Sequence, residues 1–521
     1  MDHHQLLYTL YRAQSLHTFV TDNILKRSAS AISLSTSMLC LHPEKKSVES
    51  TTKTEYYPPL ASSNAPLPLS TVKSDLGDVY INKTGTVLPP GIEEGLSRME
   101  EKAKNNVGAT RESRAFVENN NKLAQKCVEV PAGVMIQGQK ARLVDIRVNA
   151  KGKPDDTVYR KNKDIRELIP RGFTVLEIEG REDTTVIFGF KKFSGGIGDE
   201  DENQPETNDQ WREYCTADPE TATKMVCITK LNGEAAHFSG RYIDGQFYLF
   251  VGSKNVHMMV RNRADINLYT GDRYFFAKVI AETVYDSLCE LEEDKQHLLF
   301  SFLHHTNCTV VCEILQPKNQ HIVNLSHLSK PRLQVISFTP TVSGSSPGAS
   351  LTALPPHHLL DIAKVLGLDT ASYTIIDFAK FMEQRKKIRS MTQEEGEVWY
   401  LLNDKNTTIG LIKVKTAWYT VLRALREKAV FCFTTAKKKS DWNLQDRIKS
   451  THKRFKEIQN WLKFSNDYLQ QWKVLGEDFL TWLNNDIKNE IIDPKIIRPM
   501  FPVVWKRFLD STNHTDEIAL T

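Results

Sequence analysis

Net charge is nearly absent from this chain: 68 lysine and arginine residues against 64 acids leave +4 over 521 residues. A total so small identifies no partner, so only local basic clusters can argue for nucleic acid. Long apolar runs are missing too. None approaches the ~18 residues that span a bilayer, so no membrane partner is expected. The eight cysteines are scattered without a single C-x-x-C pair. That argues against a zinc knuckle or a disulfide framework and fits a reduced intracellular compartment, cytoplasmic or nuclear. The nearest approach to a metal cluster, "HHTNCTVVC" (His304, His305, Cys308, Cys312), reads in its second half as a β-strand. No internal repeat is present.

What remains is an ordinary globular composition, 40% hydrophobic and 25% charged, long enough for two to four domains. Residues 1–130 read as an N-terminal extension, partly disordered, with a Ser/Thr/Pro-rich stretch from Ser28 to Pro68. Its amphipathic, mildly basic start leaves organellar targeting open, with Asp2 and Asp22 counting against a transit peptide. Residues 131–430 are strand-rich. "FTVLEIEG", "MVCITK", "QFYLFVGS", "CTVVCEIL", "VWYLLN" and "IGLIKVK" are short, β-branched or aromatic, and bounded by turn residues. "IDGQ" (Ile243 to Gln246) predicts a tight hairpin, Arg273 to Leu291 and Pro356 to Leu366 predict helices, and "SGSSPGAS" predicts a flexible loop. Residues 431–521 carry apolar side chains at helical spacing and predict a helical C-terminal domain. The expected class is α+β, with antiparallel sheets, flanking helices and an α-helical C-terminal domain.

Polar residues fall on this framework in a particular order. Lys230-Leu231-Asn232-Gly233 ends a strand-like run, and Gly252-Ser253-Lys254 follows. Glu313 comes next in "VVCEILQPKNQHIV", then Glu395 in "EEGEVWYLL", then Lys413 and Lys415 in "IGLIKVKTAWY", two apart and so on one strand face. Upstream, "IPRGF" and "FGFKKF" supply Arg171 and Lys192. The bland reading of Lys230 is a surface lysine beside an Asn-Gly hairpin turn. The sharp one is a nucleophile.

The order resembles that of the covalent nucleotidyltransferases, the nucleic-acid ligases and capping enzymes, and within them the phage T4 RNA ligase 1 and fungal tRNA ligase branch. The likeness runs from about Arg166 to Arg426. It implies an ATP-grasp-like ligase core and an ATP-dependent RNA ligase acting as a monomer with Mg²⁺ or Mn²⁺. Its substrates would be RNA 5′-phosphate and 3′-hydroxyl ends. Lys230 would form lysyl-AMP. Lys413 and Lys415 would favour its neutral amine and stabilise the α-phosphate. Arg171 and Lys192 would hold the β- and γ-phosphates, Glu313 and Lys254 the ribose, and Glu395 the metal. Asn232-Gly233 would turn the chain so that the lysine points inward. Two positions depart from the pattern: Asn232 stands where an aspartate is usual, and Glu234 where a small hydroxyl residue is. A capping guanylyltransferase and a catalytically inactive RNA-end binding module are the rival readings. The C-terminal helices interleave Arg447, Lys449, Lys453, Arg454 and Lys456 with Phe455 and Trp461, either a mixture suited to tracking RNA or two rings facing the tail's own core beneath a solvated cationic face.

Overall fold

The computed structural model describes residue 60 and residues 65–135, 138–150, 155–193, 209–341, 348–438 and 442–520. Most of the Ser28–Pro68 stretch, the amphipathic start and most of the "SGSSPGAS" loop lie outside the described residues. Thirteen strands among the described residues pair antiparallel in three sheets. The first runs in order β1 (Leu123–Glu129), β2 (Ala141–Val148), β3 (Phe173–Ile178) and β4 (Thr184–Phe188). The second has the order β10 (Arg332–Thr339), β9 (Thr309–Leu315), β6 (Glu234–Ile243), β7 (Gln246–Ser253), β8 (His257–Val260). The third is β11 (Tyr373–Asp377), β5 (Ala222–Thr229), β12 (Gly396–Asn403), β13 (Thr408–Lys415).

The third sheet is covered on both faces, which explains the unbroken apolar text of "MVCI". Val226 and Ile228 of β5 join the large core that also takes in the second sheet and helices Leu69–Thr84, Phe275–Cys289 and Glu293–Thr306. Met225 and Cys227, on the opposite face, pack with Trp211, Trp399 and Ile388 of helix Phe381–Ser390. Along β13 the same alternation puts Leu411 towards the large core, with Ile412 and Val414 on the far side. Lys413 and Lys415 therefore project from the core-facing side.

The "IDGQ" hairpin forms as expected, with Asp244 (φ 50°) and Gly245 (φ 80°) in the left-handed conformations a type I′ turn requires. The Asn232-Gly233 pair is not a hairpin turn. β5 and β6 belong to different sheets, so Lys230 to Gly233 is a crossing strap between them.

Where the text before residue 131 reads as an extension, helices Leu69–Thr84, Ile92–Lys104 and Asn106–Glu118 precede β1. Val72, Leu76 and Tyr80 are buried at four-residue spacing. At the other end, helix Ala417–Val430 packs with helices Leu444–Leu462, Asn466–Lys488 and Phe501–Thr512 in one apolar cluster. Among the described residues no helix is long and apolar enough to cross a membrane.

Candidate active site at the lysine strap

The strap is fastened by its backbone. Thr229 N–H donates to Ser372 O at 2.9 Å, and Lys230 N–H donates to Gly396 O at 2.8 Å. These bonds extend the β5 pairing by one residue and place Lys230 on the same face as Ile228, towards the second sheet. Its ammonium, on a side chain 19% exposed, meets the Glu395 carboxylate at 2.8 Å. Burial alone would raise the Glu395 carboxyl. The charges of Lys230 and Lys415 and the hydrogen bonds from Lys230 and Asn232 outweigh it and hold Glu395 below the ordinary range.

Asn232 is the hub. Its Nδ2 donates to Glu395 Oε2 at 2.6 Å, and its Oδ1 accepts from the backbone N–H groups of Ile322 (2.8 Å) and Val323 (3.0 Å). The next residue, Gly233, donates its N–H to Glu313 Oε1 at 3.0 Å. A Cβ at Gly233 would lie 2.3 Å from Ile314 O, so only glycine lets the strap lie this close to β9. Gly396 is constrained the same way: at φ 132° a Cβ would meet Val414 O at 2.1 Å. Burial pushes Glu313 up to about 7 against the pull of Lys230, and the neighbouring Glu395 charge adds to the rise. Glu234, at the start of β6, accepts at Oε1 from His321 Nε2 (3.0 Å) and Asn319 Nδ2 (3.1 Å). The "PKNQHIV" loop is thus pinned to the strap by both departing positions, Asn232 and Glu234.

On β13, Lys415 is fully buried, with its Nζ 5.3 Å from the Tyr419 ring centre. Lys413 Nζ lies 4.9 Å over the Phe193 ring. Lys230, Asn232, Glu313, Glu395 and Lys415 therefore converge.

The remaining cations form a second group. Arg171 binds Asp155 through Nε and Nη2, with a closest approach of 2.8 Å, and Lys254 Nζ reaches the same carboxylate at 2.8 Å. Lys192 pairs with Asp156. Burial, then the charge of Arg171, lowers both lysines, whereas Arg171 and Lys254 overcome the effect of burial and hold Asp155 well below the carboxylate range. Lys254 thus sits with Arg171 rather than beside Glu313. Phe193, one residue on from Lys192, lies under Lys413 and links the two groups.

Sequence reading did not find Asp155 and Asp156. An acidic pair opening a short helix is ordinary, and their partners lie as far as 99 residues away. It also missed a buried chain in which Thr174 donates to Asp145 (2.7 Å) and His257 Nδ1 lies 2.9 Å from the same carboxylate. Of the C-terminal aromatics, Phe455 is fully buried in the helical core, and Trp461 packs against that core with the Arg454 guanidinium 4.4 Å above its ring. Phe455 therefore offers no face to an unpaired base.

Among the described residues no group of three or more His, Cys, Asp or Glu side chains is arranged to hold a metal ion. A single buried carboxylate such as Glu395 does suit Mg²⁺, which commonly takes one or two carboxylates and completes its shell with phosphate oxygens and water.

No curated protein matches the chain. The model of the family described as domain of unknown function (DUF7920) matches residues 113–426, more than half of the chain and a span that holds every candidate residue from Asp155 to Lys415. The chain belongs to that family.

Proposed function

We propose that the chain is an ATP-dependent RNA ligase that forms lysyl-AMP on Lys230 and joins an RNA 5′-phosphate to a 3′-hydroxyl. The observation that carries this reading is the convergence on Lys230 and its strap neighbour Asn232 of Glu313, Glu395 and Lys415 from three other stretches of sequence. A structural lysine needs one acid partner. Two carboxylates, an amide and a second, buried lysine around one amine suit a reaction centre better.

The amine must lose a proton before it can attack. Glu395 Oε1, held ionised 2.8 Å away, is in place to orient the amine, and the charges of Lys415 and Lys413 favour release of the proton to water. The Nζ–Pα bond then forms as the Pα–O bond to pyrophosphate breaks. Lys415 and Lys413 face the charge that builds on the α-phosphate. Arg171, Lys192 and Lys254 supply cations for the β- and γ-phosphates once these displace Asp155 and Asp156, and Glu313 can accept from a ribose hydroxyl. Mg²⁺ held at Glu395 would neutralise phosphate charge. In the next step an RNA 5′-phosphate oxygen attacks Pα and the N–P bond breaks. Finally, a 3′-hydroxyl attacks the RNA phosphorus and AMP leaves.

The test is covalent labelling. The protein, incubated with α-labelled ATP or GTP and then denatured, should retain label from ATP, and Lys230→Ala should retain none. Retention of GTP label would point to a capping enzyme. Label that survives Lys230→Ala would overturn the assignment.

A further inference from the structure

We propose that the outward face of helix Phe381–Ser390 docks the single-stranded RNA whose end reaches Lys230. This rests on the ligase reading above. Over Lys380 to Ser390 the chain has five cations (Lys380, Arg385, Lys386, Lys387, Arg389) against one acid, Glu383. The helix buries Gln384, Ile388 and Arg389. Gln384 Nε2 donates to Glu397 Oε2 at 3.0 Å, and the Arg389 guanidinium donates to the Lys415 carbonyl. The helix is thereby fixed to the strand ends that carry Glu395 and Lys415.

The opposite face is unusual in two ways. Lys380, Lys386 and Lys387 are exposed, and none has an ion-pair partner among the described residues. Among them stands one large apolar side chain, Met382, at 60% exposure. A merely solvated lysine face has no use for an exposed Met, and an apolar protein partner has no use for uncompensated lysines. A single-stranded nucleic acid meets both, with phosphates for the lysines and a base face for Met382.

The test uses the full chain with Lys380, Lys386 and Lys387 all changed to Ala, and a 5′-phosphorylated fluorescent oligoribonucleotide. Removing three phosphate contacts should flatten the slope of log affinity against log salt by about 2, since each contact on a single strand contributes roughly 0.7. Affinity at low salt should fall about tenfold or more, with lysyl-AMP yield unchanged. Met382→Ser should weaken binding without changing the slope. An unaltered affinity and slope in the triple variant overturns the proposal, as does a wild type that does not bind the oligonucleotide. A triple variant that loses binding to phosphatidylserine vesicles but keeps RNA assigns the surface to lipid and overturns it too. If the triple variant loses RNA while even the wild type forms no adduct, the docking surface stands and the adenylation chemistry falls.

Discussion

Asn232 gives Glu395 a 2.6 Å hydrogen bond that an aspartate at the same place cannot give. The amide orientation is set by the other end, where Oδ1 accepts two backbone N–H groups from Ile322 and Val323. The residue that breaks the expected motif is therefore matched to its neighbours, one donor for a buried carboxylate and one acceptor for a loop. Asn232→Asp would set a second carboxylate against Glu395 and remove that donor. We expect a loss of about 1–3 kcal/mol, read by urea unfolding, together with reduced adduct formation. An aspartate variant as stable as the wild type would show that the hub is not under this constraint.

Glu313 carries the pH prediction. Burial lifts its carboxyl from 4.5 to about 7, so the folded state binds the proton more tightly than the unfolded chain does. By linkage, this residue's contribution to stability falls as pH rises from about 4.5 to about 7 and is flat above. Glu313→Gln has no such dependence and keeps an acceptor for Gly233 N–H. The variant should gain on the wild type between pH 5 and pH 8, by up to roughly 3 kcal/mol, while losing adenylation through its missing carboxylate. Parallel stability profiles for the two proteins would refute the raised value.

The two β13 lysines should behave differently. Lys413 is half-buried over Phe193, so Lys413→Ala should lower adduct formation on the order of 10²–10³-fold with little change in Tm. Lys415 is fully buried and helps to keep Glu395 ionised. Lys415→Met should lower both the adduct and the Tm, because it removes a buried charge that a buried carboxylate relies on. Normal labelling by Lys413→Ala would reduce that side of the strand to solvated decoration.

The legible parts of the molecule were those whose cause is local. Alternation in "LIKVK" put Lys413 and Lys415 on one face, and the turn chemistry of Asp244-Gly245 marked a hairpin. Asn232-Gly233 carried the same turn signal yet crosses between sheets, because the pairing of β5 with β12 and of β6 with β9 is decided by distant strands. Asp155 could not be assigned to Arg171 and Lys254 for the same reason. Phe455 is open to both readings from the sequence. Its cationic neighbours suggested a surface, but on a helix the adjacent positions Arg454 and Lys456 point elsewhere while Phe455 turns inward.

That inward turn decides what removal of the C-terminal helices would do. Helix Ala417–Val430 buries Trp418, Val421, Leu422, Leu425 and Ala429 in the cluster built by the helices after residue 443. Phe455 packs against Gly476, where an added Cβ would come within 2.9 Å of the ring. Trp418 Nε1 and Trp505 Nε1 both donate to Asp516 Oδ2, at 2.9 and 2.8 Å. Ending the chain at Thr435 would strip this cover. Each large apolar side chain returned to water costs about 1.5–3 kcal/mol, so losing the cover of several is comparable with the roughly 5–15 kcal/mol that holds a whole domain together. We therefore expect the shortened protein to be insoluble, or to lose its near-UV circular dichroism and cooperative unfolding, and its failure to form an adduct would follow from that collapse. A chain ending at Thr435 that stays soluble, unfolds cooperatively and still takes label from ATP would show that the helical cluster is a separable module, despite the tryptophans and Asp516 that join its two sides.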